Sequence, residues 1–231
     1  MSIESTSEVE ASAPTRVALT GIARTAAKHM VRAWQAPVFH LTVEVDMTEA
    51  TKVKTVEPTA TVTDVLVRAA ALALAEVPEV NVHVGEEDLM QFSVANVGIA
   101  VASPKGLMVP VIQNAGSKSI AELAAARADI VSRAREGALN RNDITGGTFT
   151  ISNLGMMGIT RFDAIVNVPQ AAILAVGATL QRYVAGPDSA QWRPIAELTL
   201  TCDHRALDGA TGARFINALK QNLEAPLRAH S

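Results

Sequence analysis

A single cysteine, Cys202, in 231 residues rules out an internal disulfide and a cysteine-built zinc site, and it suits a reducing compartment. Aromatic residues are scarce as well: five Phe, two Trp and one Tyr leave little with which to stack on nucleobases. Basic residues show no excess, because 20 Lys and Arg stand against 23 Asp and Glu, and the formal net charge of -3 gives a polyanion nothing to dock on. Nucleic acid is therefore not an expected partner. Long apolar runs are missing too; stretches such as Ala69 to Ala75 fall far short of the roughly 20 residues a membrane helix needs, so no membrane segment is expected. Residues 1–15 hold Ser, Pro and the acidic Glu4, Glu8 and Glu10 without an apolar or arginine-rich targeting stretch, and they read as a flexible arm or linker remnant. The whole chain is 48% hydrophobic, so what remains, 16–231, can build one sizeable core in one domain. A cytoplasmic location is the expectation.

Along that domain, Leu19 to Trp34 repeats at helical spacing until Pro37, and Val38 to Asp46 alternates as a strand does. Thr61 to Ala75 predicts a helix too apolar to be amphipathic, hence buried. Val94 to Val101 and Leu107 to Ile112, separated by Ser103-Pro104-Lys105-Gly106, predict a hairpin. Ser119 and Glu122 have the spacing of a capping box for a helix closed by Gly137. Strands follow at Thr148 to Ser152, Ala171 to Val176, Leu180 to Val184 and Ile195 to Cys202, then a helix from Ala210 to Leu223. Helices and strands interleave, yet several connections are too short for helical crossovers. The sheet is therefore expected to be mixed, in an α/β fold.

The stretch with the most chemistry is Thr201-Cys202-Asp203-His204-Arg205-Ala206-Leu207-Asp208-Gly209, where a strand hands over to that last helix. Imidazole titrates near neutrality and can take a proton from a thiol or hydroxyl, while a carboxylate opening a helix is favoured by the helix dipole. On its own the spacing also fits a turn histidine and a capping aspartate.

The segment resembles the Asp-His-Arg-x-x-Asp-Gly signature of the dihydrolipoamide acyltransferases of 2-oxo acid dehydrogenase complexes and, more loosely, the His-x-x-x-Asp-Gly motif of chloramphenicol acetyltransferase. The likeness continues through Gly146 to Gly155, Asn167 to Leu174, Gly106 to Ile112 and Pro78 to Asn81, in the family's order, and covers roughly 17 to 226. The resemblance implies a chloramphenicol acetyltransferase-like, two-layer α/β sandwich with a mixed sheet. It implies a homotrimer with active sites in channels between neighbours, and a reaction that moves an acyl group between a dihydrolipoyl thiol and coenzyme A. The stretch Ser152 to Gly158 with Ile165 to Gln170 looks closest to acetyl-transferring members. By the same resemblance His204 is the general base, Ser152 donates to the oxygen of the tetrahedral intermediate, and Asp208 supports the histidine loop through an ion pair, with Arg24 or Arg205 as candidate partner. Asn153 and Gly155 are expected beside the coenzyme, the glycine allowing it close approach. No metal is implied.

Partners implied are a lipoyl domain and the other 2-oxo acid dehydrogenase complex subunits, the lipoyl group being carried on a separate protein or a missing domain. The family's first strand usually carries Pro-His, whereas this chain has Pro37-Val38 with His40 further on. His29 and His40 are expected to be ordinary histidines. The tail Glu224 to Ser231 holds one large apolar residue, Leu227, so assembly beyond a trimer through it is not expected. Two rivals share these residues: a free-standing chloramphenicol-type O-acetyltransferase and an inert structural core protein.

Overall fold

The computed structural model describes residues 14–19, 21–104, 106–185 and 189–226. Of the arm expected over 1–15 only Pro14 and Thr15 fall among them, without regular secondary structure, and 227–231 lie outside them. In chain order the helices are α1 (Gly21–Trp34), α2 (Thr48–Thr51), α3 (Val53–Val56), α4 (Val62–Glu76), α5 (Ile120–Glu136) and α6 (Gly209–Glu224). The strands are β1 (Val38–Asp46), β2 (Val82–Val84), β3 (Leu89–Gln91), β4 (Val97–Ile99), β5 (Val101–Ser103), β6 (Gly106–Met108), β7 (Val111–Ile112), β8 (Phe149–Asn153), β9 (Ala172–Val176), β10 (Leu180–Val184) and β11 (Gln191–Asp203).

Seven strands form the main sheet in the order β1-β11-β9-β8-β4-β7, with β10 on the free stretch of β11. It is mixed as expected: β4–β8 and β8–β9 run parallel and the other pairs antiparallel. Strict alternation gives the sheet two unlike faces. Val45, Leu198, Leu200, Cys202, Leu174, Phe149 and Ile151 point to the helical side and are buried there. Phe149 meets Phe215 of α6 with ring centroids 5.3 Å apart, and α4, buried almost all round, packs between α5 and α6. Each such fully buried large side chain is worth about 1.5–3 kcal/mol.

The opposite face is polar. His40 bonds Thr201 (2.9 Å) and Thr42 bonds Thr199 (3.0 Å) across β1 and β11, and Arg182 bridges Glu44 and Glu197. The capping box at Ser119 and Glu122 forms, and Gly137 closes α5 in the left-handed region at φ 70°. The hairpin near Gly106 departs from its simple expectation. Its two arms keep one register from Val97↔Ile112 to Ser103↔Gly106, but the outer half (β5, β6) leaves the sheet. The break falls where the Ala100 N–H turns to the Ile151 carbonyl of β8 and Pro110 has no N–H to give.

Candidate active site

At one end of the sheet β11 runs out into the His204 turn. The turn is fastened on both sides: the His204 N–H donates to the Pro37 carbonyl (2.7 Å), and the Ala206 and Leu207 N–H groups donate to the Asp203 carbonyl. Asp203 is fully buried, and its carboxylate takes the Arg205 backbone N–H (3.0 Å) and a two-pronged grip from the Arg205 guanidinium (2.6–3.2 Å). That leaves the His204 imidazole exposed, tilted against the Phe39 ring at 4.7 Å and without a hydrogen bond among the described residues. Asp203 is the positioning residue that sequence reasoning quoted but did not assign. Its signal was an acidic residue two positions before an arginine at a strand end.

The ion pair expected of Asp208 does not form among the described residues. Asp208 caps α6, Oδ1 accepting from the Thr211 N–H at 2.7 Å, while Arg205 is committed to Asp203 and Arg24 makes no ion pair among the described residues. The hydrogen bond from the Thr211 backbone, then that from its hydroxyl, with the nearby Arg214 charge, holds the Asp208 carboxyl below the usual carboxylate range. Of the orphan N–H groups at the helix terminus, the Asp208 carboxylate accepts that of Thr211.

The other end of the site is the turn after β8. Ser152 is half-buried on the polar face and its hydroxyl makes no hydrogen bond among the described residues. The turn is closed by its neighbour instead, Asn153 Oδ1 accepting from the Gly155 N–H at 2.9 Å. At Gly155 a Cβ would lie 2.6 Å from the Gly177 carbonyl oxygen. Asn153 and Gly155 therefore shape the serine turn.

Register fixes how far apart these ends lie. Ser152 pairs with Ala175, which pairs with Thr199, five residues before His204. Five residues along a strand and two strands across amount to about 20 Å. Within one chain the serine and the histidine do not meet. His29, on α1, bonds Asn167 (3.1 Å), which reaches Thr150, and His40 bonds Thr201, so each imidazole has a hydrogen-bond partner within the chain. Burial pushes the Cys202 thiol up to about 12, which removes it as a nucleophile.

A mixed sheet clad by helices on one face, with a His-x-x-x-Asp-Gly turn between its longest strand and last helix, defines the two-layer α/β class of chloramphenicol acetyltransferase. A structure of that enzyme shares the fold alone, with TM-score 0.60 at 13% identity over 85% of this chain and 94% of that one. The chain belongs to the 2-oxoacid dehydrogenases acyltransferase (catalytic domain) family, whose model matches residues 11–230. It is 37% identical over 220 residues to the dihydrolipoyllysine-residue acetyltransferase component of the pyruvate dehydrogenase complex of Zymomonas mobilis, covering 91% of this chain and 50% of that protein. The chain thus spans about half the length of that relative. The dihydrolipoamide acetyltransferase of Azotobacter vinelandii superposes with TM-score 0.88 at 33% identity, covering 98% of each chain. In that protein the catalytic mechanism was probed at a serine, a histidine 52 residues on and an asparagine four further. Ser152, His204 and Asp208 stand at the same two intervals.

Proposed function

We propose that this chain catalyses transfer of an acyl group, acetyl by preference, between a dihydrolipoyl thiol and coenzyme A within a 2-oxo acid dehydrogenase complex. One observation carries the reading: a serine hydroxyl and an imidazole without hydrogen bonds among the described residues, each presented by a hydrogen-bonded turn, at the intervals of the Azotobacter acetyltransferase residues. A thiol with pKa near 8.5 is only a few per cent thiolate at pH 7, so a base acting during attack is worth having. His204 takes the proton from the coenzyme A thiol as its sulfur adds to the thioester carbonyl. The Ser152 hydroxyl donates to the oxygen that becomes negative, a contact of the kind worth about 3 kcal/mol in rate. As the tetrahedral intermediate collapses, the C–S bond to the lipoyl sulfur breaks and that sulfur receives the proton back from His204. No net charge or electron is left over.

The 20 Å gap implies that the histidine of one chain works with the serine of another, the arrangement of a trimer with a channel between neighbours. The lipoyl group arrives on a lipoyl domain that is separate from the described residues, and the remaining complex subunits supply and consume the acyl group. A reducing, cytoplasmic setting fits the lone buried thiol. The test is acyl transfer from acetyl-, succinyl- and isobutyryl-CoA to dihydrolipoamide, with chloramphenicol as the rival acceptor. Acetyl transfer to dihydrolipoamide is expected, with turnover reduced about 10² to 10⁴-fold in His204→Ala and about 10²-fold or more in Ser152→Ala, both folded. Acylation of chloramphenicol alone, or full turnover in His204→Ala, overturns the reading.

A further inference from the structure

The edge of β8 next to Ser152 carries a backbone donor without an acceptor among the described residues. β8 runs parallel between β4 and β9, and consecutive residues of such a strand turn their N–H and C=O groups to opposite edges. The Ile151 carbonyl faces β4, accepting from the Ala100 N–H at 2.9 Å, and the Leu154 N–H faces β9, donating to the Val176 carbonyl at 3.1 Å. Asn153, two residues beyond Ile151, therefore presents its N–H to the β4 side. No strand meets it there. The β4–β8 ladder ends at Ile99↔Ile151, because the outer half of the Gly106 hairpin has left the sheet. The Asn153 N–H is thus unpaired, although the residue is half-buried and its side chain is held by the Gly155 N–H.

Backbone donors sheltered from water are almost always paired, so an idle one beside a reactive side chain points to an acceptor that arrives with the substrate. We propose that the Asn153 N–H is a second donor to the oxygen of the tetrahedral intermediate, acting together with the Ser152 hydroxyl. The inference rests on the acyltransferase reading for the role of Ser152. The two donors are consecutive on one strand. The hydroxyl stands on the polar face and the N–H points along the sheet into the gap left by the hairpin, so an oxygen lodged at the rim of that gap meets both. A thioester carbonyl oxygen has two lone pairs and turns negative during attack, so it gains from a fixed donor on each. The N–H keeps its own proton. Transfer of the acyl group from one sulfur to the other, with His204 carrying the thiol proton, balances as before. The Asn153 side chain acts indirectly, since its bond to the Gly155 N–H fixes the turn that follows this peptide.

The test removes that N–H alone. Cell-free translation of the full chain with the α-hydroxy acid counterpart of asparagine at 153 replaces the amide by an ester and keeps the side chain. Acetyl transfer from acetyl-CoA to dihydrolipoamide is expected to fall about 10²-fold in kcat, with KM for either substrate within about twofold and circular dichroism unchanged. Asn153→Pro and Asn153→Ala form a companion pair. Both lose the closure of the turn, but only the proline chain lacks the N–H, and a free sheet edge tolerates proline. The proline chain should turn over more slowly than the alanine chain by more than about tenfold. In an active wild-type chain, an ester variant with unchanged kcat, an effect confined to KM, or equal turnover of the proline and alanine chains overturns the second donor and leaves the acyltransferase reading standing. A wild-type chain inert towards acetyl-, succinyl- and isobutyryl-CoA removes that reading and this donor together.

Discussion

Asp208 and Asp203 divide the support of His204 between them. Asp203 is buried and fixes the turn through Arg205; Asp208 is exposed and fixes the start of the helix that follows. Because the Asp208 carboxyl is held below its ordinary range in the folded chain, its charge stabilises the fold above the unfolded value and is lost as pH falls through the lowered folded one. Asp208→Asn keeps a capping oxygen and removes the charge. Thermal denaturation should therefore show a lower Tm for the variant at pH 7, and the gap should close as pH is taken below about 4, the carboxylate range of an unfolded chain. A gap that is the same at both pH values would mean that the side chain's shape, not its charge, does the capping.

Among the elements, the turn that presents Ser152 depends on two glycines in backbone contact. Gly155→Ala would place a methyl 2.6 Å from the Gly177 oxygen, and relief by moving the turn is expected to cost about 1–3 kcal/mol, seen as a fall in Tm together with turnover. Gly209→Ala, where an added carbon meets nothing within 4 Å, should leave both unchanged. Differential scanning calorimetry on the pair separates packing from any general intolerance of alanine. Such contacts are what the sequence conceals. Elements with their own periodicity or caps were legible: β1 and β10 at their full extent, α4 and α6 to within a residue, and α5 from its capping box. The short β2 and β3, and the folded-out half of the Gly106 hairpin, were not, because three-residue strands carry no period and take their pairing from distant chain. At the site the same division holds. His204 and Ser152 were picked out by motif, whereas the helix cap made by Asp208 and the backbone contact at Gly155 were not, since both are properties of geometry alone.

Taken as a whole molecule, under the proposed pairing a chain whose serine and histidine lie about 20 Å apart contributes half of two sites. Subunits of inactive His204→Ala mixed with inactive Ser152→Ala should then regain activity. After full exchange of an equal mixture, about one quarter of the shared sites combine an intact histidine with an intact serine, which sets the ceiling on recovery. Steady-state assay after exchange, verified by mass, checks this; no recovery would place both groups within one chain.

The thirteen residues of β11 join all of this. It is bonded along one edge to β1 and along the other to β9 and then β10. Amides in the stretch of this strand that is paired along both edges are expected to exchange slowly with solvent. The imidazole thus follows the longest strand of the main sheet, and the serine turn follows the shorter β8, which is itself paired on both edges by β4 and β9. Protection from exchange is therefore expected on the strands behind both groups, which would keep each group's position fixed while the rim of the site moves.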